Sequence, residues 1–233
     1  MQGNVRFRGD SMSCRTLVCS WILILFLWSK SAHAEDVILA TGEWPPFTSE
    51  DLFGGGSTSL ILEKAFKSQK VKFSAKFMSW SDVSVEAEAS EAIKGWYPAY
   101  FSEARSKVCA WSDIIGTSLV GFAHTAGSKF NWKTLEDLKR YKVGVVAGYV
   151  NERAFDAQVA SGSLQVSVSQ SDTENLLGLI NKKIDAAVID RRVMVHLLRK
   201  VPELKPHKTL IKFDLAALKE HPTYVCFMGK DRQ

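Results

Sequence analysis

Histidine, cysteine and proline are scarce in this chain, and each scarcity closes off a class of function. Only 5 histidines, 4 cysteines and 6 prolines occur among 233 residues. None of His124, His196, His207 and His221 stands in His-x-x-x-His spacing, and no cysteines form Cys-x-x-Cys, so the spacing supports neither a zinc centre nor any other metal or cofactor. The Gly-x-Ser-x-Gly elbow of one class of serine hydrolase is missing. His196 falls on a helical stretch and reads as a helix-surface residue. Gly54, Gly55 and Gly56 are adjacent but lack the following Lys-Ser/Thr and the Gly-x-Gly-x-x-Gly spacing of a phosphate loop. There is no internal repeat and no low-complexity segment.

No apolar run reaches the roughly 20 residues needed to span a bilayer. The longest, Leu17 to Trp28, follows the basic residues Arg6, Arg8 and Arg15 and leads into Ala32-His33-Ala34. A charged start, a short apolar core and a small-x-small end describe a secretory signal peptide over 1–34, with cleavage after Ala34. Four basic residues and one acid would leave with it, so the net charge of +5 falls to +2. A nucleic-acid role loses its support. Cys14 and Cys19 also lie in that segment. The remaining Cys109 and Cys226 would share an oxidising compartment, either as one disulfide or as two buried free thiols.

From residue 36 onward apolar runs and amphipathic stretches alternate. Strands are expected at Asp36–Thr41, Val71–Phe77, Gly95–Tyr100, Leu119–Ala123, Val143–Val146, Leu164–Val168, Ala186–Ile189, Leu210–Phe213 and Pro222–Met228. Helices are expected from Ser57 or Thr58 (as cap) to Lys67, and over Asp82–Ile93, Thr134–Arg140 (Thr134 as cap), Asn151–Ala160, Thr173–Asn181 and Arg191–Arg199. This order predicts an α/β protein in which mainly parallel sheets are flanked by helices. Because strand-helix units occur on both sides of Ala123, it also predicts two lobes of similar construction.

Four side chains and one glycine backbone carry the most recognisable chemistry. Arg105, between an apolar run and Trp111-Ser112-Asp113, offers a planar fork of donors that meets a carboxylate in two parallel hydrogen bonds. It could instead pair with Glu103 or Asp113 at the surface. Asp190 ends a strand where open α/β sheets place their ligands, and it could equally cap the helix beginning at Arg191; Arg191 and Arg192 stand ready to neutralise it. Trp44 and Trp80 can flank a flat or cationic group or simply be core aromatics. Gly148 exposes its backbone near an expected helix start, which suits an anion.

These segments resemble, in order, those of bacterial periplasmic solute-binding proteins of the polar amino-acid type (solute-binding family 3). The resemblance runs through Ala40–Phe47, Phe77–Trp80, Tyr100–Asp113, Leu135–Gly148 and Ile184–Asp190. It implies the two-lobe, type 2 periplasmic-binding-protein fold, with lobe 1 at 35–123, lobe 2 at 124–205 and return strands at 206–233. The hinge strands would cross near Leu119–His124 and Thr223–Met228. Trp44, Trp80, Tyr100, Arg105, Gly148, Tyr149 and Asp190 would line the ligand site, with Arg105 on the carboxylate and Asp190 on the ammonium of an amino acid or related small carboxylate. The function implied is periplasmic capture by a monomer, without turnover, for the permease of an ATP-driven importer. An orphan sensor and a secreted enzyme of cyclic-acid dehydratase type are the alternatives the fold would allow. The pattern departs from the family at Pro98, which has no N–H, and at Tyr100 and Tyr149, which place phenols where small hydroxyls are usual. The sequence also stops soon after the last expected strand, where the family continues, so either this is a naturally short or truncated copy or lobe 1 leaves some apolar surface uncovered.

Overall fold

Strand β1 (Val37–Thr41) shows why the protein is built in layers: neighbouring residues Leu39 and Ala40 point to opposite faces, yet neither is exposed. A strand buried on both faces must have helices above and below it. A computed structural model describes residues 36–214 and 216–229, and all of them belong to one compact unit, Glu35–Gln233. The signal-peptide segment, with Cys14 and Cys19, lies outside the described residues.

β1 pairs in parallel with β2 (Phe73–Phe77) and β3 (Ile93–Tyr100). Helix α1 (Ser57–Ser68) covers one face, where Leu39, Leu62, Tyr97 and Val225 meet. Helix α2 (Trp80–Ala89) covers the other through Val83 and Ala87, against Ala40, Ile93 and Trp96. A hydroxyl pair, Ser59 Oγ and Tyr97 Oη at 2.8 Å, ties α1 to β3.

The second half repeats the scheme. β5 (Gly116–Thr125), β6 (Val143–Val146), β7 (Val166–Ser169) and β8 (Ala186–Asp190) alternate with α3 (Arg153–Ala160), α4 (Asp172–Ile180) and α5 (Arg191–Lys200). β6 runs parallel to both β7 and β8, and β5 closes the inner edge antiparallel to β8. Phe122 and Phe155, neither exposed, anchor one core layer; truncating such an aromatic costs about 3–5 kcal/mol. On α5 the buried residues Val193, Met194, Leu197 and Leu198 form one stripe. That is the spacing of a helix with one apolar face.

β9 (Ile211–Phe213) adds to β5, and β10 (Lys219–Met228) returns the chain to the first half. The full order is β2-β1-β3-β10-β5-β8-β6-β7, with β4 (Cys109–Trp111) on β10 and β9 on β5. β5 and β10 pair with each other over Gly116–Val120 and Lys219–Thr223. The crossing expected from sequence therefore sits a few residues too late in both strands.

Several local expectations need correction. Gly56, not Ser57 or Thr58, precedes α1: Ser57 Oγ donates to Pro46 O at 3.1 Å and Ser59 Oγ donates to Gly55 O at 2.7 Å, so these hydroxyls serve preceding carbonyls and do not cap the helix. The helix expected over Asp82–Ile93 starts at Trp80 and stops at Ala89, and Ile93 opens β3. Val71 is not in β2; its N–H closes α1 on Phe66 O. β2 is an edge strand, so its alternating face is only half-buried. Strand β4 was not foreseen. Cys109 and Cys226 form a disulfide that clips β4 to β10. The Thr134 cap is present as a capping box with Asp137, over a single 3-10 segment.

Candidate functional site

The two halves face each other across a cleft of about 520 Å³, counting its open mouth. Trp44, Trp80, Tyr100, Arg105, Gly148, Tyr149 and Asp190 all line it. Sequence reasoning missed Val120, Val188 and Ile189, whose apolar side chains read only as strand core, and Asn151.

The first half supplies the aromatic wall. Trp44 stacks on Phe47 at 4.5 Å and meets Tyr100 edge-on at 6.2 Å. Trp80 opens α2 and donates its indole N–H to Glu43 O at 2.9 Å. Its ring lies so close to Gly42 that a Cβ there would come within 2.6 Å of it, so only glycine leaves room for the indole. Tyr100 ends β3, stacks on His221 at 4.4 Å and shares a 2.6 Å hydrogen bond with Ser118 Oγ. Burial raises the Tyr100 phenol well above its usual range, so it stays neutral, and burial lowers the His221 imidazole. His221 Nε2 is buried without a hydrogen-bond partner among the described residues.

Arg105 begins the turn after β3 and is half-buried. Nη1 donates to Tyr100 O at 3.2 Å. Burial lowers its pKa without threatening its charge. Neither acid that could have neutralised it does so: Glu103 pairs with Arg153 at 3.2 Å, and no described carboxylate lies within ion-pair distance of Arg105. A guanidinium with most of its fork uncommitted faces the cleft.

The second half supplies Gly148 and Tyr149 from the loop after β6. Gly148 has φ +78 and packs against the backbone of Trp80 and Ser81, so the neighbouring helix start belongs to α2 on the opposite wall. The N-terminus of α3 is not open to an anion, because Glu152 caps it by accepting from the N–H groups of Ala154 and Phe155 at 2.9 Å. Tyr149 meets Trp80 edge-on at 5.9 Å and donates to Asp172 Oδ2 at 2.8 Å. Asp172 is 5% exposed, its Oδ1 has no partner, and burial pushes its pKa up to about 7. Sequence gave no sign of this, since an acid in the first turn of a helix is ordinary.

Asp190 is 3% exposed and is wholly engaged by its own chain. Oδ1 accepts from the N–H groups of Arg192 and Val193 at 2.6 and 3.0 Å, capping α5. Oδ2 accepts from Ser118 Oγ at 2.7 Å and Leu119 N at 2.9 Å, pinning β5. The Arg192 side chain turns away from it, to Thr117 Oγ1 at 3.1 Å and over the Phe47 ring.

No family model matches the chain, and no curated protein matches it either. Solved structures do. An arginine-bound Gly52Ala mutant of ArgBP from T. maritima is 20% identical, with 83% of this chain and 89% of that one covered and a TM-score of 0.65. The GluR0 ligand-binding core in complex with L-glutamate is 18% identical over 87% and 88%, with a TM-score of 0.67. An arginine transport system periplasmic binding protein from Legionella pneumophila is 19% identical over 82% and 86%, at 0.63. The chain has the two-lobe periplasmic-binding-protein fold. Here β5 and β10 pair with each other and link the two halves of the sheet, and every group described above stands on one of the two walls of the cleft. At such low identity the likeness establishes architecture and leaves the cleft's chemistry to its own residues.

Proposed function

We propose that this chain is an exported solute-binding protein that captures a small carboxylate-bearing solute between its lobes and delivers it to a membrane permease. The observation that carries the reading is Arg105, a charged fork on the wall of an aromatic cleft that forms no ion pair with any described residue, the nearest charge acting on it being that of Asp156 at longer range. Burying that charge is unfavourable until an anion meets it, and a carboxylate matches the fork in two charge-assisted bonds. The structural neighbours are named as binders of arginine and glutamate, both of which carry carboxylates.

Lobe 1 would comprise 35–123, lobe 2 124–205, and 206–233 the return strands. β5 and β10 would flex as the hinge. A ligand touching both walls favours the closed arrangement, and a permease that recognises this arrangement receives only loaded protein. A leader over 1–34 would send the chain to the periplasm, an oxidising compartment that the Cys109–Cys226 disulfide suits, and the chain would act there as a monomer.

A thermal-shift screen against small carboxylates, followed by calorimetry of Arg105→Ala, tests the proposal. Hits should raise the melting temperature and lose their binding in the variant. A hit whose affinity is unchanged in Arg105→Ala, or the absence of any hit, overturns it.

A further inference from the structure

We propose that the ligand is a carboxylate with a flat apolar body and no α-ammonium group, a des-amino acid and not an amino acid. This rests on the reading of Arg105 as the carboxylate seat. An ionised carboxylate has about four acceptor positions, and Asp190 gives all four to Ser118 Oγ, Leu119 N, Arg192 N and Val193 N. Freeing one for a ligand would orphan a buried donor of β5 or of the α5 N-terminus, at the cost of an unmade buried hydrogen bond.

The neighbouring hydroxyls are committed too. Because Ser118 donates to Asp190, Tyr100 must donate to Ser118, and Tyr149 donates to Asp172. What they leave toward the cleft is neutral oxygen lone pairs, which do not balance a buried cation. Asp172 stands behind Tyr149 and is not on the cleft wall. In the remaining surface, Trp44 and Trp80 can flank a flat ring, and Val120, Val188 and Ile189 make its surroundings apolar.

Matched pairs decide it: calorimetry with 3-phenylpropanoate against phenylalanine, and indole-3-propanoate against tryptophan, with 3-phenylpropanamide as the carboxylate-free control. The des-amino acid of at least one pair should bind about tenfold or more tighter than its amino acid, and the amide should not bind. In Ser118→Ala one Oδ2 acceptor is released, and the tenfold gap should narrow. Equal or tighter binding of the amino acids overturns the inference while Arg105-dependent binding leaves the solute-binding role standing. If no member of either pair binds, the inference also falls, and a wider carboxylate screen then judges the role on its own.

Discussion

Gly148 and Trp80 come from opposite walls of the cleft, yet a Cβ on Gly148 would lie 2.9 Å from the carbonyl carbon of Trp80. That close approach packs the two walls of the cleft together, and the φ of +78 at Gly148 adds a conformational demand few other residues tolerate. Gly148→Ala should therefore hold the lobes apart. We expect ligand affinity to drop roughly tenfold, the equivalent of about 1.4 kcal/mol, with small-angle scattering showing a more open molecule. Unchanged affinity would mean that closure does not pass through this contact.

Asp172 makes the protein's stability depend on pH with a definite sign. Its pKa is about 7 when folded, raised first by burial and then by the charge of Asp190, with Tyr149 opposing through its hydrogen bond; unfolded, it is about 3.9. Between about pH 4 and 7 the folded chain keeps a proton that the unfolded chain has lost, so stability falls as pH rises through this window. Below it the two states are alike, and above it the loss is complete. Asp172→Asn keeps an acceptor for Tyr149 and should flatten this part of the melting-temperature profile, leaving the variant more stable than the parent at pH 8. A variant with an unaltered slope would remove Asp172 as the cause.

The Cys109–Cys226 disulfide closes a loop of 117 residues. In the chain-entropy picture such a loop contributes about 4–5 kcal/mol, with the mechanism dependent on that picture. Cys226 is also fully buried. Reduction, or the double change Cys109→Ala with Cys226→Ala, should lower the melting temperature by roughly 10 °C or more for a chain this size. A shift of a degree or two would show that β4 holds to β10 by its ladder bonds alone.

How far sequence reasoning reached follows from which signals are local. The α/β alternation was legible because each strand and helix declares its own period, and the Asp190 and Thr134 caps because capping acts within a few residues. Grouping Trp44, Trp80, Tyr100, Arg105, Gly148, Tyr149 and Asp190 in one cleft needed a family resemblance, since nothing in their spacing brings them together. Hidden from sequence were pairings between distant strands: Ser118 on β5 reaching Asp190 on β8, Tyr149 reaching Asp172, and Glu103 choosing Arg153 over Arg105. A three-residue strand such as β4 is too short to show a period. Its pairing is imposed by β10 and the disulfide.

Arg105→Lys separates charge from shape at the proposed carboxylate seat. Lysine keeps the positive charge but presents a compact ammonium on a flexible stem, without the planar pair of donors. If the cleft only attracted anions through a general field, the exchange would alter affinity little. If the ligand carboxylate lies flat against the guanidinium, one of two charge-assisted bonds is lost and the other must be re-aimed, at roughly 1.5–3 kcal/mol per bond. We expect calorimetry to show affinity weakened about tenfold to a hundredfold in Arg105→Lys and lost in Arg105→Ala, with the melting temperatures of both ligand-free variants close to that of the parent. The last point follows because the Arg105 side chain makes one neutral hydrogen bond, to Tyr100 O, and no ion pair with any described residue. Full retention of affinity in the lysine variant would show that the seat reads charge and not the geometry of a fork.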